Sequence, residues 1–164
     1  NGGTNTRAFA PEVKAYCAAR YGDQFHFVDI VDPSAQWEGK TSSDVACTDV
    51  MRQLELNPIA APTNDPQKRI DAVTELLMRY IDGKPCLMLN PHCTMLIKGF
   101  EGGYHYPEKA SSRTRIDRPV KNLFSHIHDA LQYVALRVKQ QHSRNRDEQT
   151  DYEENLSRPR FKFN

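Results

Sequence analysis

Three short apolar runs, each closed by a proline, constrain this chain most. They are Phe25-His26-Phe27-Val28-Asp29-Ile30-Val31 before Asp32-Pro33, Pro58-Ile59-Ala60-Ala61 before Pro62, and Cys86-Leu87-Met88-Leu89-Asn90 before Pro91. Proline has no N–H to give a strand ladder, so each run reads as a buried strand with a defined end. Between the runs the apolar residues switch to helical spacing. Phe9, Val13, Tyr16 and Cys17 predict a helix over 7–20, with Gly22 just beyond it. Ser42 or Ser43 can cap a helix whose apolar face is Ala46, Cys47, Val50, Met51 and Leu54. Asn64-Asp65-Pro66 has the cap-then-proline form of a helix start; Ile70, Val73, Leu76, Leu77 and Tyr80 follow as its stripe, and Asp82-Gly83 as its stop. Strands alternating with helices predict an α/β fold with a parallel sheet covered on both faces.

The second half continues less regularly. Residues 93–100 read as a short helix, Gly102-Gly103 as a turn and Tyr104-His105-Tyr106 as an edge strand ended by Pro107. From Asn122 a helix carries Leu123, Ile127, Leu131, Val134 and Val138 on one face, then fades from Gln140 into a polar tail rich in charge. The spacing thus predicts one domain over 1–138 and a charged, disordered tail over 139–164.

Composition narrows the classes of partner. With 164 residues the chain is long enough for one domain with a sizeable core. Lys and Arg number 22 against 21 Asp and Glu, a net charge of +1, so a nucleic-acid or membrane partner must be met by a local patch. One such patch exists: between Lys109 and Lys121 lie Lys109, Arg113, Arg115, Arg118 and Lys121 against the lone acid Asp117. It reads either as an exposed cationic loop or as a grip on a phosphate backbone. Uncharged apolar stretches are only a few residues long, far below the roughly 20 of a membrane span, and Asn1-Gly2-Gly3-Thr4-Asn5-Thr6 has no secretory form. Cys17, Cys47, Cys86 and Cys93 include no Cys-x-x-Cys pair and read as reduced core thiols of a cytosolic protein.

Few patterns carry chemistry. Ser34-Ala35-Gln36-Trp37-Glu38-Gly39-Lys40-Thr41 comes close to a phosphate-binding loop, but its first position is Ser34 where the cradle needs glycine. A solvated loop is the simpler reading. The six histidines show no zinc spacing, and no Gly-x-Ser-x-Gly elbow is present. Asp32 stands where a central strand stops, the edge at which open α/β sheets bind ligands, though an Asp-Pro turn explains it as well. Asp129 falls opposite the Leu123/Ile127/Leu131/Val134 stripe, beside Tyr133 and Leu136. It either faces solvent or, if the helix is covered on two sides, is brought to the sheet edge beside Asp32. Should the two carboxylates meet, they are hard oxygen ligands suited to Mg²⁺ or Mn²⁺, and paired ions of that kind hydrolyse phosphodiesters. His126, one turn before Asp129, could orient it.

These residues resemble a known family. Val31-Asp32-Pro33-Ser34-Ala35, Pro62-Thr63-Asn64 leading to Arg69-Ile70-Asp71-Ala72-Val73, Pro91-His92-Cys93, and Pro119-Val120-Lys121-Asn122 running into Ser125-His126-Ile127-His128-Asp129-Ala130-Leu131-Gln132-Tyr133 are similar, in order, to the carboxy-terminal nuclease domain of the large terminase subunit of tailed bacteriophages. The resemblance spans residues 7 to 138 and implies a ribonuclease H-like mixed sheet flanked by helices. It implies a Mg²⁺- or Mn²⁺-dependent endonuclease, with two metal ions, that cleaves concatemeric double-stranded DNA during viral genome packaging. It makes Asp32 and Asp129 the metal ligands, His126 a residue behind them, and Arg113, Arg115, Arg118 and Lys121 the DNA contacts. The partners it implies are viral DNA, the terminase ATPase domain, the small terminase subunit and the portal, in the host cytoplasm.

One departure stands out. The family pattern starts with a strand bearing an Asp shortly before Gly, and this chain has no acid before Glu12, which the spacing puts on a helix. The first strand or strands of the fold are therefore expected to be missing from this chain, with a metal carboxylate on them. That leaves an alternative: a non-catalytic DNA-binding or docking module of the packaging motor.

Overall fold

The computed structural model describes residues 6–22, 24–36, 47–107 and 118–157. Its architecture is mixed α/β, mostly helical with small sheets. Helix α1 (Thr6–Tyr21) leads to strand β1 (Asp29–Val31) and a 3₁₀ turn (Pro33–Gln36). Helix α2 (Cys47–Gln53), strand β2 (Pro58–Ala60) and helix α3 (Pro66–Met78) follow. The short strands β3 (Tyr80–Ile81) and β4 (Lys84–Pro85), helix α4 (Thr94–Lys98), a π turn (Gly99–Gly103) and helix α5 (Ser125–Ser157) complete it.

Strands β1 and β2 run parallel, with Asp29 opposite Pro58, Ile30 opposite Ile59 and Val31 opposite Ala60. The expected parallel βα arrangement is thus present in small form. The Cys86–Asn90 run is not a strand: among the described residues the parallel sheet has two members, and residues 86–90 join no ladder. Nor is Tyr104–Tyr106 a strand, although the His105 carbonyl accepts one bond from the Val120 N–H at 2.9 Å.

Local chemistry explains the elements that position the cleft. The Asp65 carboxylate accepts from the N–H groups of Gln67 and Lys68 (2.9 and 3.3 Å), and Pro66 supplies the fixed φ of a first helical residue, so α3 begins as expected. It ends at Met78, not at Asp82-Gly83. Those two residues, with φ of 51° and 75°, instead form the two-residue turn that twists β3 back onto β4. Helix α2 closes with Glu55 at φ 61° while the Leu56 N–H reaches the Met51 carbonyl, a Schellman ending.

The core lies between α3 and α5. Ala72, Val73 and Leu76 pack against Ala135 and Leu136, with Cys86, Leu87, Leu131 and Val138 around them. Two alanines with no exposed surface bring the helices close together, and α5 also packs against β1.

Four sequence expectations change here, in whole or in part. The α1 face does not form a core: Phe9 is 54% and Tyr16 65% exposed, and only Ala10 is buried. Leu123, just before α5, and Ile127 and Val134 on it lie outward, whereas His128, Gln132, Tyr133, Ala135 and Leu136 lie inward. The helix therefore buries a partly polar face, which the expected apolar stripe meets at Leu131 and Val138 but misses at Leu123, Ile127 and Val134. Finally, α5 continues to Ser157 past the expected end near Gln140, in keeping with a run from Gln140 to Ser157 that has no Gly or Pro. Of the four thiols, none in a disulfide, Cys47 is exposed and the other three are partly buried, with Cys86 packed against the core, so the expected core placement holds only in part. Among the described residues no helix is long and apolar enough to cross a membrane.

Candidate functional site

Parallel strands present their carboxyl ends on one side, and here those ends carry the polar groups. Asp32 follows β1, and its Oδ1 accepts from the Ser34 N–H at 2.8 Å and the Ser34 hydroxyl at 2.7 Å. This is an Asx turn, the bland role expected of an Asp-Pro step. The carboxylate has a second role as well. Its Oδ2 accepts the Tyr133 phenol at 2.5 Å, and the Asn64 amide, from the loop after β2, stands 3.4 Å from Oδ1 and 2.8 Å from the phenol oxygen.

Helix α5 brings the opposite wall. Asp129 and Tyr133 are four residues apart and therefore share one face of the helix. The helix is fixed at its start by Asn122, whose side-chain oxygen accepts from the N–H groups of Phe124 and Ser125 and whose amide donates to the Gly103 carbonyl at 2.8 Å. Behind this face His128 is stacked on Tyr104 (ring centroids 4.7 Å, 4° between planes) and edge-on to Phe100. A Cβ at position 99 would lie 1.9 Å from the His128 ring nitrogen, so Gly99 permits the close approach. Tyr104 in turn accepts a bond from Gln132 at 2.9 Å and lines the cleft.

Asp129 has only 16% of its side chain exposed. Arg69 of α3 contacts its Oδ1 at 3.3 Å, and Lys121 its Oδ2 at 2.6 Å. The Arg69 guanidinium also lies over the Tyr133 ring, 4.8 Å from its centroid. Tyr133 thus joins the two carboxylates, donating to Asp32 and stacking beneath the cation that faces Asp129.

Asp32, Asn64, Arg69, Arg118, Lys121, Asp129 and Tyr133 line one cleft of about 360 Å³. Burial works to raise the Asp32 pKa, but the phenol, the backbone and hydroxyl of Ser34, and Arg69 outweigh it, so the carboxyl lies below its ordinary value. Burial, then the bond to Asp32, pushes the Tyr133 phenol up, which keeps it a donor.

The structure therefore brings Asp32 and Asp129 to the same cleft, and Arg118 and Lys121 with them. It does not bring His126, which is exposed, while Asp129 is held by Arg69 and Lys121 instead. Arg113 and Arg115 lie outside the described residues, as does most of the Ser34–Thr41 loop beyond Gln36. Sequence reasoning missed Asn64 and Arg69 as cleft residues. A signal existed for Arg69: it occupies, with Ala72, Val73 and Leu76, the buried face of α3, where a cation stands in a row of apolar side chains.

Asp32 and Asp129 are the carboxylates of this cleft that a hard divalent cation would use. Mg²⁺ keeps several waters and takes one or two carboxylates together with substrate phosphates, and this cleft offers two carboxylates and an amide oxygen with room for water. Among the described residues no group of three or more His, Cys, Asp or Glu side chains that could hold a metal ion is present. Compared with known proteins, the chain matches no family model, no curated protein and no solved structure.

Proposed function

We propose that this chain is a metal-dependent DNA endonuclease domain of the ribonuclease H-like, packaging-terminase kind, acting on concatemeric double-stranded viral DNA with Mg²⁺ or Mn²⁺. One observation carries the reading: Asp32 and Asp129, distant in sequence, line one cleft together with three cations, Arg69, Arg118 and Lys121. Carboxylates alone would repel a phosphodiester and cations alone would only bind it. Together they offer ligands for a divalent ion and a grip on the backbone beside it.

Asp32 and Asp129 would hold the ion, which when bound supplies charge neutralisation at phosphorus and acidifies water. The remaining steps belong to the chain's own groups. Tyr133 and Ser34 fix the Asp32 carboxylate in one orientation through three hydrogen bonds. Lys121, 70% exposed, can leave Asp129 for a phosphate oxygen. A second ion of the expected pair needs a carboxylate beyond those that the described residues bring here. The ATPase domain, small subunit, portal and host cytoplasm belong to this proposal too.

Nicking of supercoiled plasmid with Mn²⁺ tests it. Asp32→Ala and Asp129→Ala should each abolish cutting, and cutting at the parent rate by either variant refutes the assignment. The neutralisation of Asp129 by two cations favours a second reading, a non-catalytic DNA-binding or docking module. Duplex binding that survives EDTA, with no nicking under any divalent metal, would select that reading.

A further inference from the structure

Arg69 is a buried cation that its surroundings leave under-used. Its side chain is 8% exposed, yet its Nε has no hydrogen-bond partner. A guanidinium carries five N–H donors in a planar fork, and leaving such donors unpaired in a buried site is costly. Asp129 does not satisfy it: the contact is 3.3 Å, longer than an ordinary N–H to oxygen bond, whereas Lys121 holds the same carboxylate at 2.6 Å. Arg69 is thus the looser of the two partners. The guanidinium also stands over the Tyr133 ring, its Cζ 4.8 Å from the centroid, a contact that favours a planar cation at this place. The cleft around it holds three cations against two carboxylates, an excess of one positive charge.

We propose that Arg69 is a phosphate-binding residue of this cleft, its guanidinium taking the non-bridging oxygens of one nucleic-acid phosphodiester. A phosphodiester matches the site in two respects: it carries one negative charge, and its paired oxygens accept the two parallel N–H bonds that a fork presents. A lysine has the charge without the fork. The proposal rests on reading the cleft as a DNA site, but it does not require cutting or a bound metal.

The test uses the whole chain in EDTA with a short fluorescein-labelled DNA duplex. In ¹⁵N-labelled protein the Arg69 Nε–H resonance, identified by its loss in Arg69→Lys, should shift saturably with added duplex, with the same Kd as fluorescence anisotropy reports. Arg69→Gln should weaken binding about tenfold or more, and its salt slope should fall by about one. Arg69→Lys should bind severalfold more weakly than the parent at an unchanged melting temperature. Lys139→Gln, whose parent lysine pairs with Glu75 outside the cleft, should bind as the parent does. If Arg69→Gln fails to fold, the resonance and the lysine variant still decide. Duplex binding that leaves the Arg69 resonance unmoved, or both variants binding like the parent, overturns the role of Arg69 while leaving the cleft a DNA site. No duplex binding by the parent at about 10⁻⁴ M overturns both.

Discussion

Replacing Tyr133 by Phe removes one oxygen from a side chain that is only 6% exposed and changes little of its shape. The lost group donates to the Asp32 carboxylate at 2.5 Å, and a hydrogen bond to a charged partner contributes about 1.5–3 kcal/mol. Asp32 keeps the N–H and hydroxyl of Ser34 and is partly open to water, so the low end applies, ~1.5 kcal/mol at neutral pH. For a chain of this size that is a drop of roughly 3–6 °C in Tm. The effect has a definite sign in pH. The folded Asp32 pKa is depressed, so its contribution is present above the unfolded value of about 3.9 and is lost as pH falls through the folded value. The variant, with one lowering partner gone, has less of that contribution to lose. Urea unfolding of parent and Tyr133→Phe at pH 7 and at about pH 3 should therefore show a gap that narrows in acid. Equal stability at pH 7, or an equal gap at both pH values, would refute the claim that the phenol stabilises the ionised carboxylate.

Other outcomes test the frame of the cleft. Ala135→Leu inserts volume where α3 and α5 meet with no exposed surface and should lower stability by about 1–3 kcal/mol in urea unfolding. Asp65→Ala removes the α3 cap and should lower stability by about 1 kcal/mol, with Asp65→Asn largely retaining it. Burial lowers the His128 pKa, so its neutral form is favoured in the folded state and stability should decline as pH drops below about 6.5. In His128→Gln the urea midpoint should lose less between pH 7.5 and 5.5 than in the parent.

Much of the frame was legible because it rests on local chemistry. Asp65-Pro66 starts α3 through a side-chain cap and a fixed φ, and Asp32-Pro33 ends β1 because proline cannot continue the ladder. Asp82-Gly83 is a turn on its own conformational preferences, although what it joins was misread. Asp32 and Asp129 were also identifiable, one from its place at a strand end and the other from its company on a helix.

Packing decided the rest. Periodicity predicts a stripe through Leu123, Ile127, Leu131, Val134 and Val138, of which Leu131 and Val138 pack at the core; the inward face also carries His128, Gln132 and Tyr133, because each of these finds a ring or a polar group to meet: Tyr104 beside His128 and Gln132, Asp32 beside Tyr133. A polar side chain is buried at little penalty only when a partner from another element arrives at hydrogen-bond distance, and no one-dimensional pattern records that arrival. Arg69 makes the same point. By itself the sequence determined where α3 begins, where β1 ends and which carboxylates were candidates; only the tertiary structure decided that Asp32, Arg69, Asp129 and Tyr133 share one cleft, since their meeting depends on α3, α5 and β1 packing together.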